Sequence, residues 1–204
     1  MKTSKVCLVI GAGDATGGAV AKRFAREGYV ACVTRRTLDK LQPLLIQIQQ
    51  AGGIAHGFAS DARKEDEVIA LIEHIESSIG PIEVLVFNIG ANSPNSVLTE
   101  TARRYMKMWE MACFAGFLNG REVAKRMVSR LEQRDQHING VTPKGTIIFT
   151  GATASLRGSA NFAGFSGGKM ALRGLAQSMA RELGPMGIHA AHTIIDGAID
   201  TEFI

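Results

Sequence analysis

Gly11-Ala12-Gly13-Asp14-Ala15-Thr16-Gly17 sets three glycines within seven residues, after the apolar run Val6 to Ile10 and before a segment of helical period. A loop of this kind can hold phosphate. Glycines let the backbone come close to an anion, and a helix N-terminus turns unpaired N–H groups and the positive end of its dipole toward it. The spacing is GxGxxxG rather than GxGxxG, and no lysine follows where a Walker loop needs one. The same glycines would also suit a bare turn, but the place between strand and helix favours a ligand. Arg35 and Arg36 add a second chemistry. They follow Thr34 at the end of the second apolar run, where an acidic residue would bind the ribose hydroxyls of NAD. Two guanidiniums there can pair with a 2′-phosphate, which favours NADP(H) over NAD(H). Taken alone, they would be two solvated arginines at a strand end.

Both features must be held at one edge of a sheet. Short apolar runs rich in β-branched residues lie at Val6 to Ile10, Val30 to Thr34, Ile54 to Ala59, Val84 to Phe87, Thr146 to Thr150 and Ile188 to Ile195. Helical periodicity lies between them, near Gly17 to Glu27, Leu38 to Ala51, Glu65 to Ile79, Ala102 to Leu131 and Asn161 to Leu183. The alternation predicts an α/β fold with a doubly wound parallel sheet, in one domain spanning residues 1–204. Gly28, Gly52-Gly53, Gly80-Pro81 and Gly184-Pro185 stand where helices should stop. The polar stretch Arg134 to Gly145, with Gly140 and Pro143, predicts a surface loop.

Composition removes other function classes. The 204 residues are 46% hydrophobic and 21% charged, enough apolar surface to offset ordering entropy. No apolar run nears the ~20 residues that cross a bilayer, and Val6 to Ile10 is too short for a signal-peptide core, so a cytoplasmic protein without membrane contact is expected. The net charge of +4 is spread along the chain and aromatics make up 6%, so no basic, aromatic-lined groove for nucleic acid is visible. Arg121 to Arg134 alternates sign at helical spacing, which predicts a solvated helix face. Cys7, Cys32 and Cys113 are odd in number and far apart, fitting reduced core thiols rather than disulfides or a metal clamp. His189 and His192, three apart in a strand, face opposite ways and cannot share a metal.

From Lys5 to nearly its last residue the chain resembles the short-chain dehydrogenase/reductase family. The family's TGxxxGxG loop maps onto Ile10 to Gly17, with Gly11 and Gly17 kept, Ala15 at the middle glycine and an extra glycine at Gly13. Asp61, with Ala62 beside it, matches the aspartate that holds the adenine. The NNAG motif is half retained in Phe87-Asn88-Ile89-Gly90, and Asp196 to Thr201 resembles PGxxxT, with Thr201 where the nicotinamide amide is contacted. The resemblance implies strand order 3-2-1-4-5-6 and a cofactor cradle of Gly11, Gly13, Asp14, Ala15, Thr16, Gly17, Arg35, Arg36, Asp61, Ala62, Asn88, Gly90, Lys169 and Thr201. It also implies a homodimer or homotetramer built on the two long helices. The family normally continues past Ile204 with a helix and a seventh strand, which this chain either has lost or carries beyond these 204 residues.

The family's catalytic groups are a tyrosine proton donor, a lysine four residues on that lowers its pKa and holds the nicotinamide ribose, a serine that orients the substrate oxygen, and a helix asparagine in a proton relay. By that resemblance the YxxxK motif becomes Phe165-Ser166-Gly167-Gly168-Lys169, the serine position falls on Ala152 and the asparagine position on Cys113. Of the four, only Lys169 remains as a catalytic candidate. Positions 165 and 169 are one helical turn apart, so both side chains share a face. Phe165 has no proton to give, and losing a positioned general acid costs 10²–10⁴-fold, about 3–5 kcal/mol of barrier. The upstream tyrosine of enoyl-reductase relatives maps to Phe162, also without a hydroxyl. Thr153, Ser155, Ser159, Ser166 and Asp196 lie near the site in sequence. Asp196 reads as a turn cap and Cys113 as packing, and neither is named catalytic. Two expectations follow: an NADP(H)-dependent oxidoreductase of a small carbonyl or alcohol, or an NADP(H)-binding protein without hydride transfer, a sensor or assembly partner.

Overall fold

Residues 4–90, 92–134, 145–197 and 199 are described by a computed structural model of the chain. The β-branched runs form strands β1 (Val6–Ile10), β2 (Val30–Arg35), β3 (Ile54–Ala59), β4 (Ile82–Phe87), β5 (Gly145–Ala152) and β6 (Ile188–Ile195). They make one sheet in the order β3-β2-β1-β4-β5-β6, every pair parallel. The order reverses between β1 and β4, which opens a crevice at the carboxyl ends of those strands, and both the glycine loop and Asn88 leave the sheet there. Central β1 is buried along its whole length, as expected of a strand covered on both faces.

Two helical layers do the covering. Helices α1 (Thr16–Arg26) and α2 (Gln42–Gln50) press Ala21, Ala25, Leu45 and Ile48 on one face. Helix α3 (Glu65–Ser78) covers the other face with two long helices, α5 (Ala115–Arg134) and α6 (Ala163–Leu183), which bring in Ile72, Leu118, Met127 and Leu172. Phe87 and Phe149, both fully buried, pack 6.2 Å apart between β4 and β5. Truncating either to alanine removes about 3–5 kcal/mol.

The structure departs from the sequence reading in three places. The helix expected over Ala102 to Leu131 is α4 (Ala102–Trp109), then a π-helical turn at Glu110–Phe114, then α5. Residues Leu38–Leu41 form a 3₁₀ turn leading into α2, which has Pro43 in its first turn, where a missing N–H costs nothing. The charged face of α5 is only partly solvated. Glu122 is 5% exposed and paired with Lys125 and Arg126, and Arg130 reaches Glu76 of α3 and donates to the Ile82 carbonyl at 2.8 Å. The Arg130–Glu76 pair docks α5 onto α3, whereas the Glu122 pairs lie within α5. Residues 135–144, where a surface loop is expected, lie outside the described residues.

Candidate cofactor-binding and catalytic site

The glycine loop is built by steric exclusion. Gly11 has φ +85°, and a Cβ there would meet Ile89 Cγ1 at 2.9 Å and the Asn88 carbonyl oxygen at 3.0 Å. The loop is tied down by Ala12 N–H donating to the Thr34 carbonyl at 3.0 Å and Asn88 Nδ2 donating to the Gly11 carbonyl at 3.2 Å. Gly17 is buried, and its Cβ would strike the Gly11 carbonyl oxygen at 2.4 Å, so this glycine supports the loop rather than facing a ligand. Gly13 is the opposite case: an added Cβ meets nothing within 4 Å. Ala15, at the N-cap of α1, offers no side-chain cap, and the first turn holds no acidic residue. Thr16 opens the helix. The positive end of α1 thus has no acidic side chain in its first turn, and the space beside Gly13 is open.

A cavity of about 270 Å³ runs from Gly11 and Gly13 past Arg35, Arg36 and Asp61 to Asn88 and Gly90. Arg35 Nη1 donates to the Lys40 carbonyl at 3.2 Å and lies 3.5 Å from the carboxylate of exposed Asp14, while Arg36 is exposed on the cavity wall. Thr34, Ser60, Ala62, Arg63, Ile89 and Met111 complete the wall. Arg63 is the notable addition. Its Nε and Nη2 donate to the two Asp61 oxygens at 2.9 and 2.5 Å, and its N–H donates to Oδ1 at 3.2 Å. That side-chain bonding holds the Asp61 carboxyl down to about 2, so the carboxylate is ionised. Asn119, fully buried, donates to the Ala62 carbonyl at 3.2 Å and fixes this segment from behind.

Lys169 enters from α6. It is 4% exposed, and Nζ donates to the carbonyls of Thr150 at 2.8 Å and Ile89 at 3.0 Å. Burial lowers its pKa from 10.5 to about 8. A Cβ built on Gly90 would lie 3.6 Å from Nζ and 3.9 Å from Phe165 Cε2, so Lys169 and Phe165 both lie close to Gly90, which lines the cavity. Ala152 ends β5, and its N–H donates to Ser155 Oγ at 3.1 Å, which engages that hydroxyl in a turn. Cys113 sits buried in the π-helical turn, its thiol pushed up by desolvation. Thr153 Oγ1 donates to Asp196 Oδ1, joining the ends of β5 and β6, where the sequence suggested only a turn cap. His192 is pressed against Gly151, and its two ring nitrogens have no partner among the described residues. Burial, then the Lys169 and Arg173 charges, lower its pKa. Thr201 lies outside the described residues.

The donor set fits a phosphorylated dinucleotide: a cleared helix N-terminus for phosphate, two arginines at one end and a buried ammonium at the other. Ser60 and Arg63 were missed from sequence, and Met111 reads there as packing; Arg63, two residues past Asp61, carried a signal that could have found it.

Residues 5–204 match the family described as short chain dehydrogenase. The short-chain reductase protein NovJ of Streptomyces niveus is 29% identical over 199 residues, 98% of this chain and 71% of that protein. The 3-oxoacyl-(acyl-carrier-protein) reductase MabA of Mycobacterium tuberculosis matches to the same extent. Among solved structures, a short-chain dehydrogenase from Rhodopseudomonas palustris is 46% identical with a TM-score of 0.84, covering 95% of this chain and 85% of that one.

Proposed function

The chain belongs to the short-chain dehydrogenase family, and on that premise we propose that it binds NADP(H) and acts as an oxidoreductase on a small carbonyl or alcohol. The observation that carries this reading is a cavity with Arg35 and Arg36 on its wall and Gly90 at its other end, with Lys169 packed beside Gly90. Gly13 and the α1 N-terminus would take the pyrophosphate, Arg35 and Arg36 the 2′-phosphate, Asp61 and Ala62 the adenine, and Asn88, Gly90 and Lys169 the nicotinamide ribose. When bound, the reduced dinucleotide supplies a hydride and its oxidised form accepts one. Lys169 brings a positive charge into a site where the low dielectric strengthens its hold on a ribose hydroxyl. Phe165 contributes packing and no proton.

Phe165 and Ala152 favour a second reading, dinucleotide binding without hydride transfer. Substrate-dependent loss of NADPH absorbance, measured across a panel of carbonyls and enones, separates the two. Turnover of any one substrate supports the oxidoreductase, whereas saturable NADPH binding with no turnover supports the second reading and overturns the first. The proposal extends to a cytoplasmic homodimer or homotetramer. In its support, no helix among the described residues is long and apolar enough to cross a membrane, and Tyr105, Met106 and Phe117 of α4 and α5 are 40%, 50% and 37% exposed.

A further inference from the structure

A site without the tyrosine and serine still needs somewhere to send a proton, and the carboxyl ends of β5 and β6 narrow the choice. Ser155 is 3% exposed with its Oγ engaged by the Ala152 N–H, and Ser166 is 5% exposed. Burial keeps the Cys113 thiol protonated, and Lys169 spends two of its three donors on backbone carbonyls. Thr153 and Asp196 differ from all of these. Ala152 is paired with Ile195 in the sheet, so the next residue of each strand, Thr153 and Asp196, leaves the carboxyl edge side by side. Their side chains are hydrogen-bonded, Thr153 is half-buried and Asp196 is open to solvent. Thr153 also directly follows the position where the resemblance places the serine, and Lys169 is bonded to Thr150 of the same strand.

Resting on the oxidoreductase reading, we propose that Thr153 and Asp196 together are this site's proton-transfer group, taking the hydroxyl proton of an alcohol and returning it to a carbonyl. Thr153 Oγ1 already donates its hydrogen to Asp196 Oδ1, so its lone pairs are left to accept from a substrate hydroxyl. As the alcohol's C–H pair leaves as hydride to the oxidised dinucleotide, its O–H bond breaks and the C=O bond forms. The released proton moves to Thr153 Oγ1 while the threonine's own hydrogen moves to Asp196. Threonine ends unchanged, Asp196 ends protonated, and its exposure lets it pass the proton to water. Reduction runs the same relay backward. A carboxylate at this position also selects for neutral hydroxylated substrates over anionic ones.

The test uses purified protein, its Thr153→Val, Thr153→Ser and Asp196→Asn variants, and 2-butanol, cyclohexanol, 1-phenylethanol and xylitol as probes. Two readouts are taken: NADPH formed from NADP⁺, and calorimetric binding of each alcohol to the NADPH-saturated protein, in which no reaction can occur. Asp196→Asn keeps a hydrogen-bond acceptor but no base, so alcohol binding stays within about threefold while turnover falls 100-fold or more. Thr153→Val loses at least tenfold in alcohol binding and 100-fold in turnover, and Thr153→Ser recovers both to within about tenfold. NADPH affinity stays within threefold throughout. Wild-type turnover in Thr153→Val or Asp196→Asn overturns the proposal, as does wild-type protein that binds NADPH yet oxidises none of the four alcohols. Failure of wild-type protein to bind NADPH would instead remove the cofactor reading beneath it.

Discussion

Lys169 is a buried ammonium whose pKa of about 8 lies below the 10.5 of an unfolded chain. Between those values the unfolded chain holds more protons, so the wild type gains stability as pH rises, about 3 kcal/mol over the window. Lys169→Met should lack that gain: its stability relative to wild type, read from urea unfolding at pH 7.5 and 10, should shrink by about 2–3 kcal/mol at the higher pH. The same variant should bind NADPH about 10–100-fold more weakly at pH 7, the loss of a charged hydrogen bond. Asp61 works in the opposite range. Its folded pKa of about 2 lies below its ordinary 3.8, so its stabilisation is present above pH 4 and lost as pH falls toward 2. Asp61→Asn should remove that part of the acid-induced fall in Tm. Asp61 and Lys169 were both legible from the motif residues around them. The Arg63 clamp and the Thr153 to Asp196 bond were not, because each depends on how a strand end turns as it leaves the sheet.

At the scale of elements, the glycine loop separates folding from binding. Gly17→Ala drives a methyl into the Gly11 carbonyl and the Ala12 Cα, both backbone, so unfolding in urea should show a loss of about 1–3 kcal/mol. Gly13→Ala places its methyl in open space, so its Tm should match the wild type while NADPH affinity drops tenfold or more. Equal effects at the two positions would show that Gly13 does not face a ligand. Strands were the most legible elements, since runs such as Val6 to Ile10 match the observed bounds. The π-helical turn was hidden. Met108, Ala112, Cys113 and Ala115 are all buried and continue an apolar pattern across it, so one extra residue per turn leaves no mark in composition. The face of α5 was misread for a related reason: the periodicity places Glu122 and Arg130 on one helix but says nothing of the carboxylate that α3 offers to Arg130.

Over the whole molecule, the crevice at the β1–β4 reversal is the organising feature, and the six-strand order was legible because alternating runs leave few topologies once a family likeness is seen. A ligand that binds the folded chain alone raises its stability by about 2.7 kcal/mol at 100 times Kd, which for a domain of this size is a rise in Tm of about 5–10 °C. NADPH should produce that shift in a thermal melt, and NADH at equal concentration a smaller one. The most direct measurement is a calorimetric titration of the wild-type protein and the Arg36→Ala variant with NADPH and NADH. Saturable NADPH binding at least tenfold tighter than NADH, with the difference largely lost in Arg36→Ala, is the predicted result. No saturable NADPH binding, or NADH binding as tight as NADPH, would contradict the account.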